Sequence, residues 1–80
     1  MEVKDILREF IREKFDIGDD SDFTDGAHLF DMGFIDSLGA TEIILFIEEN
    51  WNIEITQRDL ILYPMNTIDE ISEVIEGKLA

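Results

Sequence analysis

Val3, Ile6, Leu7, Phe10 and Ile11 recur at the i, i+3, i+4, i+7, i+8 spacing that places every apolar side chain on one stripe of a helix. Residues 2–15 are therefore expected to form an amphipathic helix. From Asp16 to Asp36 the period dissolves into Gly, Asp, Ser and Thr, with isolated apolar residues at Phe23, Leu29, Phe30 and Met32. A loop of this length is normally functional or held down by packing, and its apolar residues point to packing, with room for one short turn. A second helix is expected from Asp36 or Ser37 to about Asn50, with the Asp36 carboxylate available to cap its free amides. Asn52 to Thr56 alternates like a strand but has no second strand to pair with, so it reads as an extended connector. Thr56-Gln57-Arg58-Asp59 resembles a helix start, and one or two turns fit before Pro64. Thr67-Ile68-Asp69-Glu70 reads as a reciprocal capping box opening a last helix, with Ile68, Ile71, Ile75 and Leu79 on its inner face and Lys78 in its final turn. The expected fold is all-α, a bundle of three longer helices and one short one, with a long loop after the first.

The second helix carries two faces. Ala40, Ile43, Ile44, Ile47 and Trp51 fall within an arc of roughly 100° and form a core face. Leu38 and Leu45 lie roughly 140–160° around the helix from Ala40, together with Glu42 and Glu49, and Glu48 stands between the faces. Leucines set among glutamates away from the core read either as ordinary surface residues or as a docking strip, with acids for orientation and leucines for contact area.

Composition narrows the function classes. Eighty residues make one domain, 1–80, and a hydrophobic fraction of 45% argues for a packed core. Without cysteine there is no disulfide, thiolate metal site or cysteine nucleophile. Twenty acids against six bases give a net charge of −14, which disfavours nucleic acid and anionic membranes as partners. Eleven of those acids lie between Lys14 and Arg58, an interval without a single base. Met1-Glu2-Val3-Lys4-Asp5 lacks the order of a signal peptide, and the longest apolar run, Ile43 to Ile47, is too short to span a bilayer. A soluble cytoplasmic monomer is expected.

The segment Gly33-Phe34-Ile35-Asp36-Ser37-Leu38 carries the most specific signal. Asp-Ser-Leu alone is a weak motif. Here it opens the second helix of an acidic domain, follows an Asp31-Met32-Gly33 turn at the end of a long loop, and precedes an acidic helix. In that setting the whole chain, from the first helix to Leu79, resembles the acyl carrier protein family. The resemblance implies a four-helix carrier fold with no catalytic residue and no metal site. It implies 4'-phosphopantetheine attached covalently to Ser37 by a phosphopantetheinyl transferase, its thiol holding the cargo as a thioester. It further implies that Asp36, Leu38, Glu42, Leu45, Glu48 and Glu49 meet partner enzymes, among them an acyl- or aminoacyl-activating ligase and acyl-processing enzymes with basic docking surfaces. Ala40, Ile43, Ile47 and Ile55 match positions that line the bundle interior, where some carriers shelter an acyl chain.

Two features depart from the fatty-acid carriers. Gly39 stands where they usually have an acid, and two residues rather than one separate Gly33 from Asp36. The resulting Gly-x-x-Asp-Ser-x-Gly pattern is more similar to D-alanyl and other aminoacyl carrier proteins. Other classes fit less well. In the loop, Asp20, Asp22 and Thr24 suggest an EF-hand, but Asp25 falls where the turn glycine belongs, leaving at most loose divalent-cation binding. A helical adaptor without a prosthetic group would share the acidic strip but has no need of Ser37. The single histidine, His28, has no recognisable catalytic partners.

Overall fold

A computed structural model describes residues 2–80, so Met1 lies outside it. Four helices follow in order: α1 (Val3–Lys14), α2 (Ser37–Trp51), α3 (Gln57–Leu62) and α4 (Ile68–Leu79). No strand occurs among the described residues; Asn52 turns the chain out of α2 in a left-handed conformation, and 53–56 is the connector that the pattern predicted over 52–56. Leu7 and Ile11 of α1, Ile43 and Ile47 of α2, and Ile68, Ile71 and Ile75 of α4 meet in one core. Each such side chain removed from water is worth roughly 1.5–3 kcal/mol, which is why three short amphipathic helices hold together. Ile44 and Trp51 sit at the edge of that core, partly buried. Leu79, expected inside, is exposed, because everything from Glu76 onward lies past the end of the core.

The long loop is pinned as its apolar residues suggested. Phe23, Leu29 and Ile35 are buried with the helices. Met32 is exposed. Backbone hydrogen bonds stitch the loop to the far end of the chain: Leu29 N–H donates to Asn66 O, and Asp69 N–H donates to Asp25 O. Arg8 of α1 adds a bidentate grip, its Nε and one terminal nitrogen each 2.8 Å from a different oxygen of Asp25. One predicted cap is only half formed. Thr67 accepts the Glu70 N–H, but the Glu70 carboxylate takes the N–H of Asn66 instead of returning the bond to Thr67. A reciprocal box forms instead at α3, between Thr56 and Asp59. Lys78, placed by sequence at the end of a helix dipole, reaches Asp59 at 2.8 Å and ties α4 to α3.

The Arg8–Asp25 grip sets a pH dependence. Hydrogen bonds from Arg8 hold the Asp25 carboxyl below the usual carboxylate range, with the Arg8 and Lys4 charges acting the same way against the opposing effect of burial. A depressed folded-state pKa stabilises above the unfolded pKa of about 4, and that contribution fades as pH falls through the folded value. Asp25→Asn is expected to cost about 1 kcal/mol at neutral pH. In urea melts the gap to the wild type should narrow progressively as pH falls below about 4. A gap that stays undiminished down the acid series would assign the effect to packing rather than to charge.

Candidate functional site

The chain enters α2 through a turn that only glycine makes easily. Gly33 has φ +80, a left-handed conformation, and it bends the backbone so that the N–H groups of Phe34 and Ile35 both reach the carbonyl of Leu29. Ile35 is thereby buried, and the next two residues emerge at the surface. Asp36 is the N-cap, with its Oδ1 accepting the Gly39 N–H at 2.8 Å. Because the cap comes from Asp36, the Ser37 hydroxyl is not consumed by it. Ser37 stands solvent-exposed as the first helical residue. The amides of Ser37 and Leu38 have no carbonyl a turn behind them, so the helix end offers free donors and a positive dipole to a phosphate group. The geometry therefore fits a phosphodiester on Ser37. The other two serines differ: Ser72 is fully buried and donates to Asp69 O, and Ser21 lies in the loop.

Gly39 has a structural cause. A Cβ there would stand 2.8 Å from Cε1 of Phe15 and 3.3 Å from Oδ1 of Asp36. The Phe15 ring, at the end of α1, thus occupies the space that a side chain after Asp-Ser-Leu would take. A glycine inside a helix costs about 1 kcal/mol relative to alanine, so its presence was a readable sign of close approach. What approached it was not readable.

Leu38, Glu42, Leu45 and Glu49 form one outward strip, about 16 Å long at 1.5 Å per residue. Leu38 is 71% and Leu45 51% exposed. Glu42 and Glu49 stand beside them, with Glu42 facing Lys14 across to α1. Glu48 is placed differently. Its carboxylate accepts the Ile55 N–H at 2.9 Å and holds the connector against α2. On the inner side, a cavity of about 170 Å³ opens between α2 and α3, lined by Ile35, Ala40, Ile43, Ile44, Leu60 and Met65 among others. Ile47 and Ile55 belong to the packed core instead. The volume is close to that of an engineered cavity of about 150 Å³ that holds benzene.

Some aspartates of the long loop are engaged within the fold. Asp25 is engaged by Arg8, and Asp20 accepts the Asp22 N–H. No group of three or more His, Cys, Asp or Glu side chains is arranged to hold a metal among the described residues. His28 has a local part only, its Nδ1 accepting the Asp31 N–H.

The family described as "Phosphopantetheine attachment site" matches residues 5–75. The acyl carrier protein of Buchnera aphidicola subsp. Acyrthosiphon pisum (strain 5A) is 30% identical over 76 residues, covering 95% of this chain and 91% of the relative. The D-alanyl carrier protein of Streptococcus suis (strain 05ZYH33) is 35% identical over 77 residues, covering 95% of each chain. No solved structure matches significantly.

The Phe15–Gly39 contact predicts a sign reversal. Gly39→Ala should destabilise by about 1 kcal/mol, since overpacking of roughly 1–3 kcal/mol outweighs the gain in helix propensity. In a Phe15→Ala background the same substitution should stabilise, because only the propensity gain remains. Chemical denaturation of the four proteins of this cycle tests it, and equal effects in both backgrounds would show that the ring does not dictate the glycine.

Proposed function

The chain belongs to the phosphopantetheine-dependent carrier family, and from that premise we propose that Ser37 bears the arm and that its cargo is small, aminoacyl or short acyl rather than long-chain fatty acyl. Members of this family are carriers and not enzymes: a transferase modifies them, and other enzymes act on what they hold. The bound 4'-phosphopantetheine supplies the thiol, and so the thioester chemistry, that a chain without cysteine lacks. The observation that carries the assignment is the exposed Ser37 hydroxyl in a first turn already capped by Asp36. Its position lets the hydroxyl be esterified without giving up the bond that starts the helix.

Three observations support the small-cargo reading. Gly39 replaces the acid usual in fatty-acid carriers, the Gly33 spacing is similar to aminoacyl carriers, and the inner cavity of about 170 Å³ suits a small group. Among the described residues no helix is long and apolar enough to cross a membrane. On this reading residues 1–80 act as one carrier domain, and the Leu38–Glu42–Leu45–Glu49 strip docks enzymes with basic surfaces. Asp36 is positioned to be met by the same enzymes, while Glu48 contributes through the connector it holds.

Ser37→Ala should melt like the wild type and gain no mass when incubated with coenzyme A and a phosphopantetheinyl transferase. Modification of that variant would sink the assignment. Charge reversal at Glu42 and Glu49 should slow attachment mainly at low salt, with helicity retained, since rim charges act on association rate. Unchanged rates across a salt series would leave these acids as a solvated surface.

A further inference from the structure

The outward strip of α2 continues onto α1. Between the two helices runs an open groove of about 500 Å³, with Phe10 and Lys14 on one side and Glu42, Leu45, Phe46 and Glu49 on the other. Its floor is aromatic: Phe10 and Phe46 stack with ring centroids 3.8 Å apart and planes 7° from parallel. Its rim holds two acids and one base, and the base is not free of them. Lys14 Nζ stands 3.9 Å from Glu42 Oε1, both side chains nearly half exposed. Lys14 is also the last base before Arg58, so no other cation within that stretch of chain answers the acids of α2.

We propose that this groove is part of the docking surface for a basic partner enzyme, and that Lys14 is an internal competitor for Glu42 that the partner's cation displaces. The inference rests on the reading of α2 as a docking face and extends it to α1. An aromatic floor beneath an acidic rim suits an apolar partner side chain flanked by lysine or arginine. The charge complementarity is specific to that chemistry, because an acidic or neutral partner segment would leave Glu42 and Glu49 unanswered. Breaking an exposed ion pair costs little, so Lys14 attenuates docking without blocking it. Its removal should make docking faster, the opposite of what loss of a contact residue does.

The test uses the whole chain, with coenzyme A and a phosphopantetheinyl transferase as the probe. At about 0.1 M salt the Debye length is about 10 Å, so a charge change is felt locally. Lys14→Gln should raise kcat/KM roughly 1.5–5-fold, as expected for an exposed pair. Lys4→Gln makes the same change in net charge about 15 Å away along α1 and should leave the rate nearly unchanged. Asn50→Lys, which adds a base to the groove lining, should slow the reaction while the melting temperature holds or rises, since a cation suits the C-terminal end of α2. All effects should vanish near 1 M salt, where the Debye length is about 3 Å. Equal acceleration by Lys14→Gln and Lys4→Gln would reduce the effect to overall charge and overturn the proposal. An unaffected Asn50→Lys rate would show that the groove is not covered and would overturn it too. The α2 reading is tested separately: if charge reversal at Glu42 and Glu49 slows attachment while Lys14→Gln does nothing, α2 docks and the groove does not.

Discussion

The bond from the Gly39 amide to the Asp36 carboxylate reconciles two opposed demands on the start of α2. A helix end needs its free amides satisfied, and serine is among the residues best suited to do so. A serine that caps is occupied, however, whereas one that is to be esterified must stand clear. Placing aspartate at the cap moves the bonding task back by one residue and leaves Ser37 exposed on a rigid turn. The rest of the site follows from where that turn is held. Ile35 is drawn into the core just before the cap, and Phe15 covers Gly39 just after Ser37 and Leu38. An arm borne by Ser37, as proposed, would therefore begin from a fixed point.

Charge is organised around the same helix. Four of the six bases lie in α1, and α1 spends them on the acids that the fold brings near: Lys4 on Asp69, Arg8 on Asp5 and Asp25, Arg12 on Glu9, and Lys14 on Glu42. Lys78 answers Asp59, whose carboxyl is lowered to about 2 by that lysine and by the Thr56 N–H. The pairs cluster on the α1, α3 and α4 side, and the outward face of α2 keeps most of its negative charge. On the proposed docking reading, that face would steer basic surfaces toward the chain without binding them tightly, because electrostatic steering raises association rate more than affinity.

The helices were legible because their apolar periods are local properties. α1, α2 and α4 came within a residue or two of their observed ends, and α3 was marked by Thr56 and Asp59 before Pro64. The site was legible at Asp36 and Ser37 for a similar reason, since capping is decided within four residues. What escaped depends on tertiary neighbours. Nothing near Gly39 in sequence announces Phe15, and nothing near Glu42 announces Lys14. The Glu70 side chain chose the Asn66 amide over the nearby Thr67 because the loop and the α4 entrance are built together. Ile35 stands within the motif but not among the apolar residues expected to pin the loop, although its burial is what turns the next residues outward. Glu48 was read with the strip, and only the fold of the connector shows that its carboxylate is engaged with Ile55.

The central claim is that the arm sits at the one serine that is both exposed and at a helix start. The direct measurement is fragmentation mass spectrometry of the wild-type chain after treatment with coenzyme A and a phosphopantetheinyl transferase. The account predicts a single phosphopantetheine, carried entirely by fragments that contain Ser37. A group found on fragments bearing Ser21 or Ser72, or divided among serines, would contradict it.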